Sequence, residues 1–484
     1  MKAFTLFLLM LVVAKLAVGQ PQTLSVEQQI RLVETSLMPP LQLADQPPVL
    51  FTLEERMRHY HVPAVSIAFV NNGQFEWAKA YGYLSSDSLK KADTQTLFQA
   101  ASISKPIAAL AALRLVEAGK LDLDTDVNTY LKSWKLKRNR FTEQKPVTLR
   151  ELLSHTAGLT VHGFRGYAAG EPIPSVMQIL NGEKPAHSPP VLSDTLAGSR
   201  WRYSGGGYVV LQQLLEDVTG MPFSEIMNQY VLQPIGMTNS SYQQPLPDSL
   251  QNNASVGHLG NGKKIAGDWH TYPEMAPAGL WTTPTDLAHY MTEVQQSLTG
   301  KANHVLSPKM TRTMLTKHVG EHGLGPEIRN TGDSLAFSHG GGNSGFRSYF
   351  YSHIKSGQSV AIMTNGDDGM GLIFEMLRSI AKAYGWSDFK PIVKKIINLS
   401  QEKLAVLAGE YALPSRKDRV LQIVAKNKSL WVKQVWNGFE YTLYPESTLN
   451  FFVKEYGDQF TFETSASGAV TGVTHETTTW VKIK

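Results

Sequence analysis

Apolar residues recur along the chain with two different spacings, and the change of spacing divides it. Between Pro63 and Tyr83 the stretch PAVSIAFVNNGQFEWAKAYGY carries two apolar-rich runs that meet at Asn72-Gly73, a pair suited to a two-residue hairpin turn. Residues 100–119, AASISKPIAALAALRLVEAG, are apolar on nearly every side after Ser102, which predicts a helix buried all round. Pro106 fits only in the first turn, so this helix must start close to Ser102, and Gly119 ends it. Another helix is predicted near Val26 to Leu37, and helical patterns dominate the middle of the chain. Strands return between 335 and 365 as LAFSHGGG, FRSYFYSH and SVAIMTN, before a helix from Met370 to Tyr384 that Gly385 closes. An initial hairpin, a helical interior and returning strands imply an α+β domain with one antiparallel sheet assembled from both ends.

From about residue 391 the texture changes. A lysine-bearing connector, PIVKKIINLSQEKLAVLAGEY, leads into short alternating runs: RVLQIV, SLWVKQV, YTLYP, NFFVKE, QFTFET and AVTGVTHE. Their regular spacing, with turn residues between them, predicts a small all-β barrel or sandwich of six or more strands. The expected organisation is one large mixed domain over 20–390 and an all-β accessory domain over 391–484.

Composition changes this picture in four respects. With 484 residues, 42% hydrophobic and 18% charged, the chain can bury a large core in two or three domains. The net charge of +5 is scattered, and the densest basic stretch, KSWKLKRNR at 132–140, reads as a solvated loop and not as a nucleic-acid surface. The first residues, MKAFTLFLLMLVVAKLAVGQ, combine Lys2, an apolar run from Phe4 to Ala14 and small residues before Gln20, the layout of a secretory signal over 1–19, with Lys15 as an unusual interruption. Export, to a periplasm or the medium, is therefore expected. No later stretch reaches the ~18 apolar residues that suggest a spanning helix, so no transmembrane anchor is expected once the signal is removed. Cysteine is absent, which excludes disulfides, thiolate metal sites, a cysteine nucleophile and a lipidated cysteine.

The candidate chemistry begins at Ser102. Ser-x-x-Lys occurs six times, starting at Ser88, Ser102, Ser352, Ser379, Ser387 and Ser400, so the tetrad alone proves nothing. Only Ser102 opens a buried helix, where backbone N–H groups and the positive end of the dipole stabilise a developing oxyanion. Lys105 follows on the same face, and burial should disfavour its ammonium form and make it a proton acceptor for the serine. Two glycine-rich stretches supply further parts. WRYSGGGYVVLQQLLEDVTG sets Tyr203 and Ser204 before three glycines, and FSHGGGNSGF ends a strand at His339 and continues through Gly340, Gly341 and Gly342. Either could let backbone approach a substrate closely. Each is also compatible with an ordinary turn.

Ser102-Ile103-Ser104-Lys105, Tyr203-Ser204-Gly205 and His339-Gly340-Gly341, in that order, resemble the three motifs of the serine β-lactamase and penicillin-binding-protein hydrolases. The similarity is nearest to the branch of class C β-lactamases, D-alanyl-D-alanine carboxypeptidases, D-aminopeptidases and β-lactamase-like carboxylesterases. LLSHTAGL at 152–159, LLEDVTGMPFSEIMNQYVLQPIGMTNSSY at 214–242 and PAGLWTTPTDLAHYM at 277–291 agree with it, so the resemblance spans about residues 45 to 385. It implies a β-lactamase/transpeptidase-like fold, with the final segment similar to a small β domain often appended to such hydrolases. It further implies Ser102 as acylated nucleophile, Lys105 as its proton partner, Tyr203 as phenolic base or proton shuttle, and the N–H groups of Ser102 and Gly342 as oxyanion hole. His339 stands where lysine is common. Two departures matter: Gly205 replaces an asparagine that binds the substrate amide, and Gly340 replaces a threonine. Both remove donors that grip a β-lactam.

Other chemistries lack their signatures. No Gly-x-Ser-x-Gly elbow, His-Glu-x-x-His, phosphate loop or dinucleotide fingerprint is present, and HVGEH at 318–322 sets two histidines at helical spacing without a clear third ligand. Neither a metal nor a cofactor is expected. The reading is an exported serine hydrolase acting on small-molecule or peptide substrates through an acyl-enzyme. Its alternative is a non-catalytic protein that keeps the fold to bind cell-wall peptides or β-lactams.

Overall fold

The computed structural model describes residues 24–330, 332–455 and 457–484. The expected signal over 1–19 lies outside the described residues. Among the described residues no helix is long and apolar enough to cross a membrane. The chain divides into two compact units, Phe51–Leu377 and the residues up to Leu50 together with Arg378–Lys484.

The larger unit is built on a six-stranded antiparallel sheet. Its strands are β1 (Ala64–Asn71), β2 (Gln74–Gly82), β3 (Glu327–Arg329), β4 (Ala336–Asn343), β5 (Phe346–His353) and β6 (Ser359–Thr364), in the spatial order β2-β1-β6-β5-β4-β3. The sheet is thus assembled from both ends of the unit, as the returning strands predicted. β1 and β2 meet at Asn72 and Gly73, both left-handed with φ of 52° and 70°, which is the turn chemistry that Asn-Gly favours. β1 and β6 pair side by side and are buried along almost their whole length, so they read as continuous apolar runs, whereas the edge strand β2 is largely exposed.

Helices cover this sheet. α1 (Ser104–Glu117) buries every residue from Ser104 to Leu113 and then Leu115. α2 (Gly205–Thr219) is capped by the Ser204 hydroxyl, which accepts from the Gly207 amide at 3.0 Å, and it ends on left-handed Gly220. A single-turn helix, α3 (Met275–Ala278), packs against both. These three elements surround the site.

The smaller unit holds an eight-stranded closed barrel between Gly409 and Lys482, a barrel and not a sandwich. Closure comes from Tyr411 opposite Lys482 and Ala412 opposite Val481. Its interior packs Tyr411, Leu421, Leu430, Phe451, Phe462 and Val473. The stretch read as a connector contains regular structure: Ile392–Lys394 pairs in parallel with Leu41–Leu43, and Gln401–Leu407 is a helix capped by Ser400.

Within the larger unit one buried ion pair ties the helix that begins at Phe51's side to the helix near the sheet's end. Arg56 Nε and Nη2 donate to Glu375 at 2.6 and 2.8 Å, and the Tyr60 hydroxyl donates to the same carboxylate at 2.9 Å. Side-chain exposures of 13% and 2% remove this pair from solvent screening. Glu375→Ala should therefore cost about 3–5 kcal/mol, because it leaves a buried guanidinium without its partner. Urea denaturation measures this, and a loss under about 1 kcal/mol would equate the pair with an exposed one.

Candidate active site

The site starts from a sharp turn. The chain leaves a short strand at Phe98–Gln99, enters a 3₁₀ turn over Ala101–Ile103 and continues directly into α1. Ala101 has φ of +51°, a conformation that costs a non-glycine residue energy and persists only when its surroundings enforce it. Those surroundings are visible. Ser104 Oγ donates to the Ala101 carbonyl at 2.6 Å and accepts from the Leu280 amide at 3.0 Å, while Ser348 Oγ donates to the Ala100 carbonyl at 2.8 Å. Ser104, the other hydroxyl of the tetrad, is therefore a buried brace for the turn that presents Ser102.

One helical turn on, Lys105 lies buried at 2% exposure. Its Nζ donates to Ser102 Oγ at 3.1 Å and to the Pro277 carbonyl of α3 at 2.9 Å. It also stands 4.7 Å from the centroid of the Tyr203 ring. Burial alone pulls its ammonium down to about 7, since no carboxylate is paired with it among the described residues. The other tetrads are built differently: Ser352 and Ser379 bury their hydroxyls in core hydrogen bonds, and Ser400 is a helix cap.

Tyr203 precedes the cap of α2 and brings its ring over this pair. Burial pushes its phenol well above the ordinary tyrosine range, and a hydrogen bond from the Ser102 side chain offsets only part of that. The phenol is thus neutral at pH 7, and Lys105 is the more basic partner available to Ser102. Its carbonyl accepts from His162 Nδ1 at 2.6 Å.

β4 supplies the opposite wall. β3 pairs with Ala336, Phe337 and Ser338 only, so the edge from His339 to Gly342 is left unpaired on that side. Gly341 must be glycine, because a Cβ there would lie 2.2 Å from both the Ala100 carbonyl oxygen and Ser348 Oγ. Gly340 is not so constrained: its nearest neighbour would be the Tyr349 ring at 3.5 Å. A Cβ on Gly205, by contrast, would meet the Phe164 ring at 2.9 Å and the His162 carbonyl at 3.2 Å. His339 is buried and neutral, its pKa pushed down to about 3 by burial and then by Lys105, with Nδ1 at 2.7 Å from the Gly340 carbonyl.

Two further histidines belong to this wall, and of these only His322 was brought forward by the sequence, within HVGEH. His155, in LLSHTAGL, stacks 4.3 Å from Tyr203 and accepts from the Ser204 amide at Nδ1. His322 lies against Trp201 at 5.2 Å and His155 at 5.2 Å, and 6.1 Å from His339. Burial holds His155 far below its ordinary pKa and His322 down to about 4, so the wall around Lys105 is uncharged at pH 7. HVGEH is not helical: it forms a turn in which the His318 amide donates to the His322 carbonyl at 3.1 Å. Among the described residues no group of three or more histidine or carboxylate side chains is disposed to hold a metal ion.

Comparison with known proteins follows this geometry. Residues 52–384 match the Beta-lactamase family model. The protein flp of Staphylococcus aureus (strain MRSA252) is 27% identical over 248 residues, which cover 50% of this chain and 45% of flp, so the chain spans about half the length of this relative. Among solved structures, the octameric penicillin-binding protein homologue from Pyrococcus abyssi aligns over 89% of this chain and 98% of its own, with a TM-score of 0.60 at 20% identity. The penicillin binding protein from Bacillus halodurans aligns over 68% and 98%, with a TM-score of 0.55 at 20% identity. Both likenesses are of fold. With more than half of its length matched, and with an antiparallel sheet and helices arranged as in those structures, the chain belongs to the beta-lactamase family.

Proposed function

We propose that the chain is an exported serine hydrolase that forms an acyl-enzyme on Ser102, with ester, amide or peptide-type substrates. The observation that carries this reading is the 3.1 Å contact between Ser102 Oγ and a Lys105 amine whose pKa burial holds near 7. Export rests on the signal-like layout of the first 19 residues. The family to which the chain belongs consists in general of serine hydrolases.

In the proposed reaction neutral Lys105 takes the hydroxyl proton as Ser102 Oγ attacks the substrate carbonyl carbon. The resulting oxyanion is received by the N–H groups of Ser102 and Gly342 beside the unpaired edge of β4. As the tetrahedral species collapses, the proton returns to the leaving group through Lys105 and the Tyr203 phenol, which acts as a shuttle and not as a standing phenolate. Water then repeats the sequence on the acyl group and frees Ser102. His339 is neutral, so it offers a hydrogen bond where a lysine would offer charge. Residues 391–484 contribute no group to this scheme and are proposed as an accessory domain.

Substrate preference follows from the glycines. Without an asparagine at 205 and a threonine at 340 the site has fewer donors for a β-lactam's amide side chain, and an ester leaves without the protonation that an amine needs. Short activated esters should be better substrates than penicillins or cephalosporins.

Three outcomes are expected. Ser102→Ala should abolish covalent labelling by a fluorophosphonate, read by intact-protein mass spectrometry, whereas Ser104→Ala should lower stability yet keep the label; full labelling of Ser102→Ala would move the nucleophile elsewhere. Lys105→Ala and Tyr203→Phe should each cut turnover by roughly 10²–10⁴, and the double variant should lose less than the product of the two, because the residues share one proton. Gly340→Thr should be accommodated with little change in Tm, while Gly205→Asn should destabilise by about 1–3 kcal/mol. Phe164→Ala in the Gly205→Asn chain should recover part of that loss, and no recovery would show that the glycine is not set by packing.

A further inference from the structure

Beside the reaction centre lies a cavity of about 480 Å³ whose lining includes Phe164, Tyr167, His187, Ser188, Pro189 and Glu274. Two of its walls are the same segments that hold the reacting groups. His162, on its lining, donates from Nδ1 to the Tyr203 carbonyl at 2.6 Å, and Glu274 immediately precedes α3, whose Pro277 carbonyl accepts from Lys105. The loop carrying Phe164 fills the place that a side chain on Gly205 would need. The cavity thus shares Phe164 and His162 with the packing around Gly205, the position where the sequence lacks an amide-binding asparagine.

Its polar inventory is unbalanced. Glu274 is 1% exposed; Oε1 faces the Tyr167 hydroxyl at 3.4 Å, but Oε2 is buried with no hydrogen-bond partner. Ser188 Oγ is likewise buried and unpartnered. Buried polar atoms are nearly always satisfied, and a carboxylate oxygen left bare in a cavity calls for a donor from outside the chain. Aromatic rings complete the surroundings: Tyr167 stacks on His187 at 4.7 Å, and Phe164 also lines the space. A buried carboxylate on an aromatic-lined space suits an ammonium group, which brings both a charge and several N–H donors. Arg165, the arginine on the lining, is mostly exposed and is already paired with Glu171 at 2.8 Å, so it does not serve as a counter-ion for Glu274.

We propose that this cavity is the subsite for a protonated amine carried by the substrate, with Glu274 as its counter-ion and Ser188 as a second acceptor. The proposal rests on the hydrolase reading and narrows it to substrates that bear a free amine near the scissile carbonyl. Burial raises the Glu274 carboxyl to about 7, which fits a group that becomes fully charged only when a cation arrives to compensate it.

The test uses the full chain carrying Ser102→Ala, so that binding is read without acylation. At pH 8, 2-phenylethylammonium and its uncharged N-acetyl derivative are titrated into the protein by calorimetry. The ammonium should bind at least tenfold more tightly, and adding Glu274→Gln should bring the two within about twofold. Equal binding of the two probes, absence of binding by both, or discrimination that survives Glu274→Gln would each overturn the assignment. If Glu274→Gln does not fold, judged by its thermal transition, Ser188→Ala replaces it, with a loss of at least threefold for the ammonium alone expected and an unchanged ratio overturning the proposal. Failure of the hydrolase reading is separately visible, because it would show as absence of fluorophosphonate label on Ser102 in the unsubstituted chain.

Discussion

The structure turns on an amine that burial keeps from being fully charged. Lys105 sits inside a helix that is apolar all round, donates to one hydroxyl and one carbonyl, and faces aromatic rings in place of a carboxylate. An ion pair at this position would stabilise the ammonium and hold the pKa up. The surroundings instead keep every neighbour neutral: His155, His322 and His339 are all pushed below their ordinary pKa, and Tyr203 above its own. Much of the architecture near α1 can be understood as the cost of keeping this pocket dry and the turn at Ala101 in place.

Three glycines around that pocket stand under unlike physical constraints. Gly341 lets β4 touch the turn that carries Ser102, so its absence of a side chain concerns the distance between sheet and helix. Gly205 makes room for Phe164, a packing reason that also clears one side of the cleft. Gly340 has space for a side chain, so packing does not account for it. Identical residues in two adjacent motifs thus carry unlike constraints, which only the contacts separate.

Legibility in the sequence followed the range of the interactions. The hairpin at Asn72-Gly73, the buried helix after Ser102 and the returning strands were readable because each announces itself within a few residues, through turn chemistry, Pro106 or period. Six barrel strands were readable for the same reason. The strands that close the barrel, Gly409–Leu413 and Thr478–Lys482, and the pairing of Ile392–Lys394 with Leu41–Leu43 were not, since partners far apart in sequence define them. At the site, the sequence brought forward Ser102, Lys105, Tyr203 and the His339–Gly342 strand. It did not single out His155 or the Pro277 carbonyl, which reach Tyr203 and Lys105 from a loop and a single-turn helix without any period. The two histidines of HVGEH have helical spacing, but the segment forms a turn, so that spacing does not place them on one helix face.

The most direct test of this account is the pH dependence of Ser102 acylation by a fluorophosphonate, measured as a second-order rate from pH 5 to 10. If burial holds Lys105 near 7, the rate should rise about tenfold per pH unit below that value and level off above it, because only the neutral amine accepts the serine proton. The same profile should persist in Glu274→Gln, which removes the other group that titrates near 7. A rate that keeps climbing to pH 10, as it would for a lysine with the ordinary value of about 10.4, would contradict the claim.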